Sequence, residues 1–157
     1  RPARSVSRET TLARDTVDAD LLDTLLVRFV GLIANELRDQ GLAAKTVVVK
    51  LRHGDFHTIT RRRSLADPTD LDAELLAPAR ALLAPAFEDA RRRRQGIRLI
   101  GVAATNLTQS APADLFEPPE RARLRDLTTA VDRVRQRYGF DAVAPARILK
   151  LKRDERP

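Results

Sequence analysis

The chain has 157 residues, a hydrophobic fraction of 43% and a formal net charge of +7. This size fits one globular domain with a structured tail, and no run approaches the ~18 consecutive apolar residues of a membrane span, so no membrane partner is expected. Because the chain has no cysteine and only His53 and His57, disulfides and a Cys/His zinc site are excluded. It begins with Arg1 rather than Met, which indicates a piece of a longer protein, cytoplasmic by default.

The first half of the chain predicts a strand, a long helix and a hairpin. Residues 4–11 are rich in Ser and Thr without a helical period, which predicts a strand. Residues 15–40 predict a helix, because apolar residues recur at steps of three and four, acids fill the first turns and Gly41 follows. The β-branched run 45–52 and the run 56–65 predict two strands joined by a short turn.

The next segment completes an α+β domain. Residues 68–94 predict a second helix, which Pro78 and Pro85 should kink or break, and residues 97–107 predict the last strand. The order is therefore βαββαβ. Both helices must bury their apolar stripes on one face of a four-stranded sheet, so a two-layer domain over residues 1–108 is expected, with the other sheet face left for solvent or a partner.

The C-terminal part predicts a separate helical segment. Residues 109–118 form a Pro-rich connector. The segment 119–157 then holds a third helix at 119–138, which Gly139 ends, and a charged tail that we expect to be frayed from 150 to 157.

Positive charge is concentrated on the predicted strands. The segments 1–14, 45–65 and 97–107 carry 11 basic and 2 acidic residues, whereas both helices have a net negative charge. A basic sheet rich in hydroxyls is typical of a phosphate-binding surface, and the alternative is a basic face with no partner. Aromatics are scarce, and Phe29 and Phe87 fall in helix stripes, which favours sequence-independent binding of duplex DNA over base stacking or RNA.

No pattern predicts catalysis in this chain. Metal-dependent nucleotidyl transfer needs converging carboxylates, but the acids lie on helices, where a solvated face explains them. Gly101 is a lone strand glycine and not part of a phosphate-binding loop. His53 and His57 flank the hairpin turn, where we expect them to be exposed or close to phosphate. Neither a catalytic residue nor a metal or other cofactor is expected.

Several segments together resemble the little-finger domain of Y-family translesion DNA polymerases, in the DNA polymerase IV (DinB-type) branch. The most specific is SVSRE at residues 5–9. The matching segments are 5–11, 50–52, 55–56 with Thr58, 60–65 and 100–102 with Leu107.

The resemblance implies the duplex-gripping part of an error-prone polymerase. The palm, whose carboxylates bind Mg²⁺, would lie N-terminal to this chain together with the fingers and thumb, so the chain alone should be inactive. The domain would lie in the major groove of primer–template DNA and hold its backbone without reading sequence. The candidate DNA-binding residues are Ser5, Ser7, Arg8, Thr10, Lys50, Arg52, Thr58, Thr60, Arg61, Arg62, Arg63, Ser64 and Thr105. Strand alternation must turn at least one of the three consecutive arginines away.

The connector occupies the place where many relatives carry a clamp-binding peptide of the form QLxLF. Asp114, Leu115 and Phe116 are the candidate clamp-binding residues. Pro112 and Ala113 replace the Gln and the first Leu, so affinity for the sliding clamp should be weak or lost. Alternatively, Leu115 and Phe116 staple the third helix to the domain.

Two other functions remain open at this stage. The parent protein is either an active polymerase or a catalytically inactive, polymerase-like accessory protein in DNA damage tolerance. A basic α+β RNA-binding module is a third possibility. In each case we expect a monomeric fragment, and for the DNA-binding cases a location with bacterial DNA in the cytoplasm.

Overall fold

The chain forms a four-stranded sheet with two long helices, followed by a third helix. The computed structural model describes residues 5–112, 116–146 and 148. The strands are β1 (Ser5–Thr16), β2 (Leu42–His53), β3 (Thr58–Thr69) and β4 (Ile97–Gln109), and the helices are α1 (Ala19–Asp39), α2 (Asp72–Arg92) and α3 (Pro119–Tyr138), with a short 3-10 turn at Phe140–Ala142. The chain divides into two compact units, Arg1–Ser110 and Ala111–Pro157.

The sheet has the strand order β1-β4-β2-β3, and all neighbouring strands are antiparallel. The last strand in sequence is therefore central, and β1 and β3 form the two edges. Both helices of the first unit pack on one face, because the buried core joins apolar residues of α1 and α2 to those of the sheet. The predicted two-layer α+β fold is confirmed.

The core is built from one side of each strand and one stripe of each helix. Leu22, Leu26, Ile33 and Leu37 of α1 are at most 1% exposed. They share a cluster with residues at alternate positions of the strands and with the buried stripe of α2; the strand members include Val47, Val49, Leu51, Ile100, Val102 and Ala104. This alternation leaves the intervening strand residues on the opposite face.

Helix α1 begins later than its acidic residues suggest. The N-cap is Asp18, whose side chain accepts hydrogen bonds from the backbone N–H groups of Asp20 (2.9 Å) and Leu21 (3.2 Å). Asp15 belongs to β1, where its carboxylate pairs with Arg98 at 3.1 Å. The prediction of helix from residue 15 was therefore wrong by four residues, because a strand carboxylate looks like a helix-dipole acid in sequence.

Helix α2 is continuous through Pro78 and Pro85, so of the expected kink or break the break does not occur. Each proline removes one backbone donor. Leu75, Ala79 and Leu83 nevertheless lie in the core, and this tertiary packing holds the helix together across the missing hydrogen bonds.

Helix α3 occupies the predicted range and begins with Pro119, whose missing N–H has no intrahelical partner to lose. None of its residues is buried. Leu127 is 62% exposed, whereas Leu124 and Val131 are partly buried. The helix therefore forms over the range that the sequence predicted.

His53 is not exposed, contrary to expectation. It ends β2 with no accessible surface, and neither Nδ1 nor Nε2 has a hydrogen-bond partner among the described residues. The exposed ring of His57 lies 5.5 Å away between centroids. His53 is therefore a core residue of the hairpin end, since the strand continues its inward alternation one residue past the predicted end at Arg52.

Replacing His53 by leucine should stabilise the fold. An unsatisfied buried polar group costs about 1–3 kcal/mol, and Leu fills a similar volume without polar atoms. We expect His53→Leu to raise the free energy of unfolding by about 1 kcal/mol in urea titrations. His57→Leu, a matched change at the exposed partner, should be close to neutral. A destabilised His53→Leu chain would show that the ring nitrogens are satisfied.

Candidate nucleic-acid interface

The sheet face opposite α1 and α2, here called the open face, is defined by the strand register. Residues directly opposite one another in neighbouring strands point to the same side of a sheet. From β1 to β3 the open face contains four rows, namely Ser5–Thr105–Thr46–Ser64, Ser7–Ala103–Val48–Arg62, Glu9–Gly101–Lys50–Thr60 and Thr11–Leu99–Arg52–Thr58. None of these residues belongs to the buried core cluster.

Hydroxyls dominate this face, and small or apolar residues lie along its centre. Half of the row positions are Ser or Thr, and only Lys50, Arg52, Arg62 and Glu9 carry charge. The central strands contribute Gly101, Ala103 and Val48, with Thr46 and Thr105 at one end. The side chains of this surface are short and its hydroxyls can donate hydrogen bonds, so an extended ligand can approach the protein backbone closely.

Gly101 makes room for an ion pair that bridges three strands. In its row, Glu9 of β1 and Lys50 of β2 flank the glycine, and Lys50 Nζ lies 3.2 Å from Glu9 Oε2 across it. A Cβ on Gly101 would lie 3.0 Å from Glu9 Cβ and 3.4 Å from Glu9 Oε2. The glycine therefore permits the carboxylate to reach Lys50 and neutralise part of the positive charge at the centre of the open face.

The other two open-face cations, Arg52 and Arg62, differ in whether a neighbouring side chain fixes their position. Arg52 Nε donates a hydrogen bond to Thr58 Oγ1 at 3.1 Å, which orients the guanidinium along the last row. Arg62 is exposed and has no hydrogen bond or ion pair within the described part of the chain. Arg62 is thus the open-face cation with most freedom to meet an anion.

The hydroxyls also divide into occupied and available groups. Thr46 Oγ1 accepts from Asn106 Nδ2 at 2.7 Å and lies 3.4 Å from Ser64 Oγ. By contrast, the hydroxyls of Ser7, Thr60 and Thr105 have no hydrogen-bond partner among the residues that the structure describes.

Most of the candidate DNA-binding residues share the open face, but four do not. The nine on the open face are Ser5, Ser7, Lys50, Arg52, Thr58, Thr60, Arg62, Ser64 and Thr105. Arg61 and Arg63 lie opposite the core residues Val49 and Val47 and therefore point to the helix side, although both are exposed at the sheet edge. The expectation that alternation turns away at least one of the three arginines holds for two of them.

Arg8 and Thr10 lie on the helix side of β1. Arg8 is paired with Val102, a core residue, and its guanidinium donates a 2.8 Å hydrogen bond to Glu36 Oε2 on α1. Thr10 is opposite the buried Ile100. The SVSRE motif does not show which face of the sheet each residue occupies, so it did not reveal that Arg8 lies on the helix side.

Several charges on the helix side are paired with one another. Arg38 bonds to the Asp70 carbonyl and to Asp72 Oδ1, both at 2.7 Å, and ties α1 to the start of α2. Arg80 makes two hydrogen bonds to Asp23, and these raise the pKa of the guanidinium above its usual value. The cations without an ion pair in the described ranges include Arg14, Lys45, Arg62 and Arg63, all on strands.

Glu9, Thr11 and Thr46 are open-face residues that were not among the candidates. Glu9 lies within the most specific motif, but a carboxylate was not expected on a phosphate-binding face. Strict alternation from Ser5 and Ser7 predicts both Glu9 and Thr11 on the same side, so the signal was available. Alternation from the core residues Val47 and Val49 likewise places Thr46 on this side, so its signal was available too.

The described residues do not provide a metal site. No group of three or more His, Asp or Glu side chains in residues 5–112, 116–146 and 148 is arranged to hold an ion, so these residues do not fit a magnesium centre. No helix of this part is long and apolar enough to cross a membrane. Asp114 and Leu115, and the tail at 150–157, lie outside the described residues, whereas Phe116 is 90% exposed.

The fold and the site define a two-layer α+β domain in which α1 and α2 cover one sheet face and leave the other, rich in hydroxyls, uncovered by either helix. Residues 3–115 match the impB/mucB/samB family C-terminal domain. The chain is 36% identical over 151 residues to DNA polymerase IV of Dehalococcoides mccartyi, covering 96% of this chain and 37% of that protein. It therefore spans little more than a third of the curated relatives it matches.

Solved structures show the same fold at lower identity. The little-finger domain of PolIV in complex with the beta-clamp processivity factor is 24% identical, with a TM-score of 0.53 and coverage of 72% of this chain and 97% of that one. The insertion ternary complex of Dbh DNA polymerase is 18% identical, with a TM-score of 0.57 and coverage of 68% and 29%. The chain belongs to the impB/mucB/samB C-terminal domain family, as a DinB-type little-finger domain of the Y-family DNA polymerases.

Proposed function

We propose that this chain is the duplex-binding domain of an error-prone translesion DNA polymerase, and that its open face contacts the phosphate backbone of primer–template DNA. The observation that carries this proposal is the open face itself, where Lys50, Arg52 and Arg62 lie among hydroxyls on the side of the sheet that α1 and α2 do not cover. Cations neutralise phosphates, and hydroxyls add neutral hydrogen bonds to phosphate oxygens.

The chemistry of the face favours backbone contact over base readout. Direct readout of bases uses bidentate side chains such as Arg, Asn and Gln that reach base edges in the groove. Here the central positions are Gly101, Ala103 and Val48, whose side chains are too short to reach past the DNA backbone to the base edges. Binding should therefore be independent of sequence and, with only three open-face cations, weak and sensitive to salt.

Weak binding suits a domain that is tethered to its enzyme. A linked module acts at a high effective concentration, so modest affinity is enough to hold a duplex that another domain also binds. We infer that the parent protein is a DNA polymerase, as the curated relatives are named, that it uses Mg²⁺, and that its metal-binding residues lie outside this chain. Its place is with the DNA in the bacterial cytoplasm.

Arg62 and Arg8, which lie on opposite faces of the sheet, should respond differently to replacement by alanine. Arg62→Ala should lower the affinity for duplex DNA about five-fold and reduce the magnitude of the salt slope by about 0.9, because one phosphate contact is lost. Arg8→Ala should leave both unchanged, since Arg8 is paired with Glu36 on the helix side. Fluorescence anisotropy with two duplexes of unrelated sequence, from about 50 to 200 mM salt, measures both quantities.

Three open-face phosphate contacts give a log–log slope of about −2.7, or about a 40-fold loss of affinity over that four-fold salt range. Equal effects of the two arginine variants would contradict the assignment of the open face. A clear preference for structured RNA over the duplex would favour a basic RNA-binding module instead.

A second prediction concerns the central carboxylate. Glu9→Gln should increase duplex affinity about three-fold, because it removes a negative charge from the open face and releases Lys50. Glu88→Gln changes net charge equally but lies on α2, where the carboxylate pairs with Arg91. That control should leave affinity nearly unchanged; a matching increase would mean that net charge, and not the face, sets binding.

We also propose that the connector contacts a sliding clamp weakly. Phe116 leaves 90% of its surface accessible, so a partner can cover the ring. One solved relative is a little-finger domain in complex with the beta-clamp processivity factor.

In pull-downs with a bacterial sliding clamp, the double variant Leu115→Ala/Phe116→Ala should abolish retention of the chain, because the only apolar pair of the peptide is removed. Tyr138→Ala, which removes an exposed aromatic from the same unit, should retain binding. Unchanged retention of the double variant would rule out the peptide.

A further inference from the structure

Phe56 occupies a backbone conformation that its side chain disfavours. It lies in the turn between β2 and β3 with φ of 71°, in the left-handed region. A bulky residue there is an outlier, whereas glycine adopts the conformation at no steric cost. Such outliers persist where the surrounding structure enforces them, and they concentrate at functional sites.

The fold makes little use of the Phe56 ring. Its side chain is 66% exposed, whereas Phe29 and Phe87, the other aromatics of the first unit, pack in or against the core. The turn is closed by groups that other residues would also supply, since Phe56 N–H donates to the His53 carbonyl at 2.9 Å and His57 N–H donates to Asp55 Oδ1 at 3.0 Å. The Phe56 ring is therefore exposed to solvent, and the hydrogen bonds that close the turn do not depend on it.

One face of the Phe56 ring lies against the guanidinium of Arg98, which an ion pair with Asp15 keeps in place. The guanidinium carbon of Arg98 lies 4.5 Å from the Phe56 ring centroid, and Arg98 Nε lies 3.1 Å from Asp15 Oδ1. Arg98 has no partner opposite it in either neighbouring strand, because the β4 register shifts between Ile97 and Leu99. A bulge of this kind re-aims a side chain, here towards the aromatic ring.

The ring also lies at a definite place relative to the open face. The row Thr11–Leu99–Arg52–Thr58 is the last before the hairpin turn, and Phe56 follows directly beyond it. A duplex along the open face that ends at this row would bring its first unpaired nucleotide to the turn.

We propose that Phe56, supported by Arg98, is a stacking site for one unpaired nucleobase at the end of the duplex bound by the open face. The inference rests on the proposed duplex binding and adds a second, separate contact to it. Aromatic rings stack on any base, because every base has a π-face, and a neighbouring arginine attracts the attached phosphate. The site would thus distinguish a duplex end with a single-stranded extension from a blunt end without reading sequence.

The test uses the whole chain and two DNAs that share one duplex, of which one is blunt and the other has a short single-stranded extension. 2-Aminopurine occupies the first unpaired position and reports stacking by its fluorescence. We expect the wild-type chain to bind the extended DNA about five-fold more tightly than the blunt one and to quench the probe. Phe56→Gly should remove both the gain and the quenching, whereas Phe56→Trp should keep them.

Two further readouts separate this site from a structural role. Blunt-duplex affinity and the thermal unfolding midpoint of Phe56→Gly should match or exceed those of the wild type, because glycine suits the positive φ. A lower midpoint with parallel losses on both DNAs would assign the ring to the fold and overturn the proposal. If the wild-type chain binds the blunt duplex but shows no gain with the extension, only the stacking site fails. If it binds neither DNA, the proposed duplex binding fails as well.

Discussion

The packing of α1 and α2 against one face of the sheet is the constraint on which the remaining structure depends. Once Val47, Val49 and Leu51 are committed to the core, alternation places Val48, Lys50 and Arg52 on the other side. Register then carries this choice to the neighbouring strands. A one-residue slip of β3 would exchange Arg62 for Arg61 and Arg63 on the open face, so the hydrophobic core determines which arginine lies on that face.

The same packing divides the charges. Several helix-side charges meet opposite charges across the layer, as Arg8 does with Glu36, whereas Arg61 and Arg63 have no ion pair among the described residues. The open face instead combines three cations, one carboxylate and many hydroxyls. The binding surface is therefore less basic than a count of charges on the strands suggests. On the proposed function, such a surface would hold a polyanion through many weak contacts, and the Glu9–Lys50 pair would lower its affinity.

Sequence patterns predicted the elements and layers of this domain well, because the apolar periods of α1 and of the strands are strong. They predicted less well where local chemistry is ambiguous. Asp15 resembles a helix-terminal acid but pairs with Arg98 in the sheet, and the two prolines of α2 are outweighed by packing that only the folded chain provides. Candidate residues were assigned by motif and charge, so Arg8 and Thr10 were included although they face the helices.

The same limit explains why the hairpin end was not predicted as a site. His53 has no accessible surface and Phe56 is 66% exposed, yet both lie beside a short turn in a polar stretch. The positive φ of Phe56 and the bulge at Arg98 arise from register, which the sequence does not display. Both features are properties of the folded, paired strands and are therefore not predicted by the sequence pattern.

The central claim, that the open face meets duplex backbone, is tested most directly by mapping amide chemical-shift changes of the isotope-labelled chain on titration with duplex DNA. The account predicts that two duplexes of unrelated sequence shift the same amides, those of Ser7, Lys50, Thr60 and Arg62, while the outer faces of α1 and α2 stay unchanged. Shifts concentrated on α1 and α2, or patterns that differ between the two duplexes, would contradict it.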